Sequence, residues 1–250
     1  METKGNTVVI TGGTSGIGLA FAKEFILAGS KVIICGRREE RLKQIAGQYP
    51  EVVTRVCDVA DTAQRESFAE WVLQNYPETN VLINNAGLQL VVDLTKPVHL
   101  ERIHNEVEIN FVAPIHLSSL FAKHLSAKKQ SAIINISSGL AFVPIAFMPV
   151  YCATKAAIHS ITMSLRYQLK NTPVKVFEII PPAVDTELGS DRRADKSQTH
   201  GGMPVDEFIA GAMNAIENDI LEAPVGPAVN LREKAEALFE VMNSRVVSSE

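Results

Sequence analysis

Tyr151 and Lys155 stand four residues apart in a stretch with helical spacing, so their side chains share one helix face. A phenol titrates near 10 in water and is a poor base at neutral pH; an ammonium a few ångströms away favours the phenolate and lowers that value. A tyrosine tuned in this way can hand a proton to a carbonyl oxygen, or take one in the reverse direction. Ser138 lies thirteen residues upstream of Tyr151, at the end of an expected strand. Its hydroxyl is placed to hydrogen-bond the same oxygen and orient it. Ser137 points to the other face of that strand, so one serine of the pair serves. Taken singly, each residue has a plainer use. A helical tyrosine packs, a lysine is solvated, and Ser-Ser closes a turn.

A second group binds rather than reacts. The run Thr11-Gly12-Gly13-Thr14-Ser15-Gly16-Ile17-Gly18 follows an expected strand at Thr7–Ile10 and opens a helix. Glycines there let a backbone approach a dinucleotide pyrophosphate, and the helix N-terminus offers free N–H groups and partial positive charge. The same glycines would also serve a tight strand-to-helix turn with no ligand. After the second expected strand comes Cys35-Gly36-Arg37-Arg38. An acidic residue there suits the ribose hydroxyls of NAD, whereas an arginine accommodates a 2′-phosphate. The acid is missing, so Arg37 points to NADP(H). The two arginines would equally open an exposed helix and pair with Glu40. Asp58, with Val59 beside it, follows the third strand at the place of the adenine; a turn aspartate is the other reading.

Six apolar runs read as strands buried on both faces: Thr7–Ile10, Lys31–Cys35, Val52–Cys57, Val81–Asn84, Ala132–Ser137 and Val174–Ile180, with a weaker seventh at Leu221–Val225. Helical patterns alternate with them at Ile17–Ala28, Arg38–Gly47, Asp61–Tyr76, Leu100–Leu125 and Val150–Leu169. Gly29 reads as a C-cap, Asp61 and Gln64 as a capping pair, and Pro114 as a kink inside the fourth helix. The fold class that follows is α/β: a doubly wound, Rossmann-like parallel sheet of about seven strands with helices on both faces. No linker divides residues 1–250, so one domain is expected, with a substrate lid around 187–213 inside the Pro- and Gly-rich stretch from Pro181.

The bulk properties exclude several classes. With 46% apolar and 21% charged residues in 250, the chain is an ordinary globular one. A net charge of −4, with Arg37-Arg38 and Arg192-Arg193 as its nearest basic clusters, gives no footprint for nucleic acid. No apolar run has the length of a membrane span. Cys35, Cys57 and Cys152 make no disulfide framework. With no signal-peptide layout either, a cytoplasmic location is expected. His99, His104, His116, His124, His159 and His200 are scattered and suggest no metal site. Phe142, Pro144, Phe147 and Met148 would either wall an apolar pocket or join the core.

So many motifs in this order resemble the short-chain dehydrogenase/reductase family in its single-domain branch. The match runs from Thr11 to Thr186 and includes Asn84-Asn85-Ala86-Gly87, Asn110, Ile136-Ser137-Ser138 and Tyr151-Cys152-Ala153-Thr154-Lys155. The resemblance implies an NADP(H)-dependent oxidoreductase acting on a small carbonyl or alcohol substrate, in a homodimer or homotetramer. It implies that Asn110 supports a water chain to Lys155, that Lys155 also holds the nicotinamide ribose, that Asn85 lines the cofactor, and that Val184 and Thr186 meet the carboxamide. The family usually has Pro-Gly after the sixth strand; Pro181-Pro182 stiffens that turn here. The tail, with Asn230-Leu231-Arg232-Glu233 and Met242-Asn243, is similar to bacterial oxidoreductases of the D-alanine-transfer operon type. The rival reading is a dinucleotide-binding sensor that does not catalyse. It has no need of Ser138, Tyr151, Lys155 and Asn110 together.

Overall fold

The computed structural model describes residues 1–188 and 201–247. Seven strands form one sheet: β1 (Thr7–Thr11), β2 (Lys31–Gly36), β3 (Val53–Val56), β4 (Val81–Asn84), β5 (Ser131–Ile136), β6 (Val174–Ile180) and β7 (Glu222–Pro224). Their order is β3-β2-β1-β4-β5-β6-β7, and every neighbouring pair is parallel. The chain winds outward from β1 to one edge and then returns to lay down the other half. The order therefore reverses between β1 and β4. At such a switch point the loops part and leave a crevice at the carboxyl ends of the strands.

Strand alternation divides the core in two. Val8, Ile10, Ile34, Ile83, Ile134 and Phe177 face α1 (Gly16–Leu27), α2 (Glu39–Gln48) and α7 (Val205–Glu217). Val9, Ile33, Leu82, Ile133 and Val176 face α3 (Thr62–Asn75) and α5 (Ala113–Ser126), with Leu165 and Leu169 from α6 (Pro149–Gln168) and the turn after it. Burying apolar side chains on both faces, at about 25 cal/mol per Å², is what holds a parallel sheet between helices. Local signals set the ends. Asp61 Oδ1 caps the Gln64 amide at 3.1 Å. Gly29 adopts φ +72° and ends α1, where the Ser30 amide reaches back to the Phe25 carbonyl.

Three expectations change in detail. The run at 52–57 is an edge strand, not one covered on both faces: Arg55 and Val56 are exposed, and Arg55 lies over the Trp71 ring. The helix expected over Leu100–Leu125 is three pieces: α4 (Leu100–Val107), a π-helical turn at Glu108–Val112, and α5. Pro114 has no N–H to give the Asn110 carbonyl four residues back, so the ladder widens there. The expected lid at 187–213 splits as well. Residues 189–200 lie outside the described residues. From Val205 the chain is α7, whose Phe208, Ile209, Ala212 and Met213 are buried in the first core. Between these pieces Val184 bridges Met203, with Asp185 N to Met203 O at 2.9 Å and Met203 N to Ala183 O at 2.8 Å. The chain then closes with α8 (Ala228–Lys234) and α9 (Phe239–Val247). Among the described residues, no helix is long and apolar enough to cross a membrane.

Candidate active site

The glycine turn joins β1 to α1 at the switch point. Gly12 has φ +66° and Gly16 φ +52°. A side chain at Gly12 would put Cβ 2.9 Å from the Ala86 Cα, and one at Gly16 would meet the Thr186 Cβ at 3.1 Å. Both positions therefore require glycine for conformation and for space. Asn85 staples the turn. Its Nδ2 donates to the carbonyls of Thr11 (2.9 Å) and Gly12 (3.2 Å), and its amide to Thr11 Oγ1 (3.0 Å). Thr14 is buried beside Gly36. Val59 is buried too. Asp58 turns one carboxylate oxygen to the Ala60 amide (3.0 Å) and the other toward Arg37 Nη1 (4.0 Å). The neighbouring Arg38 turns instead onto the glycine turn, with Nη2 3.3 Å from Thr14 Oγ1 and 3.0 Å from Ser15 Oγ.

On the other side of the crevice, β5 delivers Ser138 and α6 delivers Tyr151 and Lys155; all three are 5% exposed. Ser138 is extended, and its Oγ accepts from the Leu140 amide at 3.1 Å. Lys155 Nζ donates to the Ile136 carbonyl at 2.8 Å and lies 5.7 Å from the centre of the Tyr151 ring. Burial lowers the Lys155 ammonium to about 8, against the pull of the Glu106 and Glu178 carboxylates. At pH 7 it therefore still carries its charge.

Asn110 lies in the π-helical turn and is 1% exposed. Its Oδ1 accepts from Leu88 N, its Nδ2 donates to Leu88 O, both at 2.8 Å, and Nδ2 also reaches Thr154 Oγ1 at 3.2 Å. The side chain thus locks the segment after β4 to α6. A Cβ on Gly87 would sit 3.7 Å from Asn110 Oδ1 and 3.9 Å from Lys155 Nζ. Glu106, one turn before Asn110, accepts from Leu90 N at 3.0 Å and is wholly buried. Val184 is buried, and Thr186 Oγ1 accepts from the Leu188 amide.

Residue-type reasoning passes over several charged groups that the fold brings in. Glu106 gives a signal only as the i−4 partner of Asn110. Glu178 gives one as the lone acid in the apolar strand Val-Lys-Val-Phe-Glu-Ile-Ile. It is fully buried on β6, level with Glu222 of β7, and takes His159 Nδ1 at 2.8 Å. His159 packs edge-on against Phe142, and Glu222 pairs with Arg232 at 2.7 Å. Ligand atoms of His159, Glu178 and Glu222 lie within 4.8 Å of one another, a grouping the scattered histidines of the sequence do not announce. Of the apolar residues read as either pocket wall or core, Met148 is buried and Phe147 packs with it against Tyr151 and Cys152. Phe142 belongs to the His159 side, stacked under Arg232.

A family model for short chain dehydrogenases matches residues 6–197. The chain belongs to the short-chain dehydrogenase family. It is 44% identical to the oxidoreductase DltE of Bacillus subtilis (strain 168) over 250 residues, covering 98% of this chain and 99% of that one. This is the D-alanine-transfer operon type that the tail resembles. The solved short-chain dehydrogenase of Sphingobium yanoikuyae in complex with NADPH is 27% identical, with TM-score 0.79 over 87% of each chain. A short-chain dehydrogenase/reductase of Burkholderia phymatum in complex with NAD superposes with TM-score 0.84 over 93% of each chain at 22% identity, a likeness of fold. The family makes this chain an oxidoreductase and gives the crevice beside Tyr151 its place in the fold.

Proposed function

We propose that this short-chain dehydrogenase is an NADP(H)-dependent oxidoreductase that interconverts a carbonyl and an alcohol, with Tyr151 as general acid and base. The observation that carries this reading is one juxtaposition. A buried tyrosine and a buried, still-charged lysine stand with a serine at the carboxyl edge of the sheet, across a crevice from a turn that admits only glycine. The residues present fit a dinucleotide. Gly12, Gly16 and Gly18 pack the turn against Ala86, Thr186 and Asn85, where a Cβ would crowd them, and so set the N-terminus of α1, with Thr14, Ser15 and Ile17, where it would hold a pyrophosphate. Asp58 and Val59 would receive the adenine, Arg37 would supply the positive charge beside its ribose, and Asn85, Val184 and Thr186 would border the nicotinamide. When bound, the cofactor gives or takes hydride at the substrate carbon.

The chain's own residues manage the oxygen. The Ser138 hydroxyl holds it in place. Tyr151 donates its proton to that oxygen as the carbonyl is reduced, and the Lys155 ammonium stabilises the phenolate left behind. In oxidation the phenolate takes the proton instead. Lys155 also reaches toward the nicotinamide ribose. The Asn110 carbonyl, denied its helical partner by Pro114, takes a water that relays protons to Lys155. We assign the work to one domain in the cytoplasm, on three free buried cysteines, and to a homo-oligomer. A panel of ketones and aldehydes of increasing bulk, supplied with NADPH and followed by absorbance of the reduced cofactor, tests the reading. Turnover of at least one supports it; none across the panel, with the cofactor bound, favours the sensor.

A further inference from the structure

Glu178 is the lone acid of β6, and it is fully buried. Strand alternation turns it to the α6 side of the sheet, the face that Val174 and Val176 share. Taking a carboxylate out of water is costly unless both oxygens find partners. Oε2 lies 2.8 Å from His159 Nδ1. Among the described residues, Oε1 has no hydrogen-bond partner. A buried polar atom in that state is rare in a folded protein and asks for a cause. The cations around it hold other groups. Arg232 of α8 gives Nε to Glu222 Oε1 at 2.7 Å and lies over the Phe142 ring. Arg166 gives Nε and Nη2 to the Val176 and Leu221 carbonyls. Lys155, one turn before His159 on α6, gives Nζ to the Ile136 carbonyl.

The register of the sheet brings in a second carboxylate. Glu178 stands opposite Glu222 of β7, and neighbours paired in this way point to the same face. Like charges so opposed repel. His159 completes the group from α6, with ligand atoms of all three residues within 4.8 Å of one another. Phe142 packs edge-on against the imidazole at 4.8 Å between ring centres and fixes its plane. One imidazole and two carboxylates make a mixed nitrogen and oxygen donor set. Zinc accepts such a set, whereas magnesium and calcium favour oxygen alone. Around a tetrahedral zinc, with bonds of about 2.0–2.2 Å, ligand atoms stand roughly 3.3–3.5 Å apart. The buried Glu178 and His159 already stand close together, and Glu222, with 30% of its side chain exposed, is the arm that can swing in.

We infer that His159, Glu178 and Glu222 form a site for a zinc-class divalent ion, which meets the Glu178 oxygen that no hydrogen bond claims. Water fills the fourth position. The proton between His159 Nδ1 and Glu178 leaves to solvent as the ion enters. The ion pins α6, one turn beyond Lys155, to β6 and β7 at the edge of the sheet.

The full chain, stripped of metal with EDTA and dialysed, is titrated with Zn²⁺ by calorimetry and with Co²⁺ by visible absorption. One ion per chain is expected, with a Kd of about 100 µM or below and the strong d–d bands of four-coordinate cobalt. Zinc at a hundredfold excess over Kd should raise the melting midpoint by about 5–10 °C. Glu222→Gln keeps an acceptor for Arg232 and alters the most exposed ligand, so its circular dichroism spectrum should match the wild type. It should lose zinc affinity about tenfold or more, and His159→Gln likewise, with the cobalt bands gone. Glu178→Gln should abolish binding; if that variant does not fold, the other two carry the test. Binding weaker than about 100 µM in the wild type overturns the site. So does an affinity that neither Glu222→Gln nor His159→Gln moves, or magnesium that displaces zinc at equal concentration. A cobalt spectrum with thiolate charge transfer would send the ion to Cys35 and Cys57 and overturn it as well.

Discussion

Lys155 brings a charge into a place where it is only 5% exposed, and its cost is measurable. Its folded value of about 8 lies below the ordinary 10.5. Between those pH values the unfolded chain holds the proton and the folded one does not, so this residue makes stability rise with pH through that window. Below pH 8 the burial cost is fully present. Lys155→Met should therefore gain most over wild type near pH 7, and that gain should shrink by about 3 kcal/mol as pH rises to 10.5. Urea unfolding at the two pH values reads the gap; a gap independent of pH would mean that no charged amine is buried there. Tyr151→Phe tests the partner. Its expected effect is a loss of about 10³-fold or more in kcat, with the dinucleotide Kd changed by no more than about threefold. Steady-state kinetics with calorimetry would show it, and near-normal kcat would remove Tyr151 as the acid. Types and spacing alone were enough to bring Tyr151 and Lys155 together and to place Ser138 after β5, because one helix face and one strand end fix those positions. The arginine pair was less legible. Arg37 and Arg38 are adjacent where an extended strand passes into a helix, and a one-residue difference there sends one side chain to Asp58 and the other to Ser15.

Elements position these residues through features that leave no room for substitution. Gly12 combines φ +66° with a Cβ position 2.9 Å from backbone, so alanine brings both left-handed strain and a clash. Gly47, inside α2 with nothing within 4 Å of its Cβ position, brings neither. Gly12→Ala should cost about 2–3 kcal/mol, a fall of roughly 5–10 °C in melting midpoint, and abolish dinucleotide binding. Gly47→Ala should be neutral or stabilise by up to about 1 kcal/mol. Scanning calorimetry on the pair decides it: equal shifts would mean the turn is not the constrained place. Most elements were readable because β1, β2, β4, β5 and β6 are apolar runs and α1 and α3 carry their own caps. The long stretch from Leu100 misled because its apolar spacing runs straight through Pro114. Only the missing amide, felt at Asn110, opens the π-helical turn. The edge position of β3 was not readable, since Val53 to Val56 looks much like an interior strand until β2 is found to be its one neighbour among the described residues.

At the scale of the molecule, one apolar surface has no place in either core. Val107 and Phe111 from α4 and the π-helical turn, with Val150, Ala153 and Ala157 from α6, line a groove of about 350 Å³. Ala153 is exposed at its centre, on the turn between Tyr151 and Lys155 but facing outward. The two longest helical stretches expected from the sequence, Leu100–Leu125 and Val150–Leu169, are the ones that make this groove. A self-complementary pairing across a two-fold axis would bury it and stiffen the helix that carries Tyr151 and Lys155. Ala153→Glu adds a charge to a surface that is open in the protomer, so the fold should survive. Two such charges would face each other near the axis of a dimer, desolvated and like-signed. The expected outcome is a shift from an oligomer to a monomer in sedimentation analysis, with an unchanged circular dichroism spectrum. If the wild type is already monomeric, or Ala153→Glu sediments as the wild-type oligomer does, the groove is not the interface. If instead the monomer forms and kcat falls while the dinucleotide Kd holds, α6 depends on its neighbour for the alignment of Tyr151, and assembly belongs to the catalytic design.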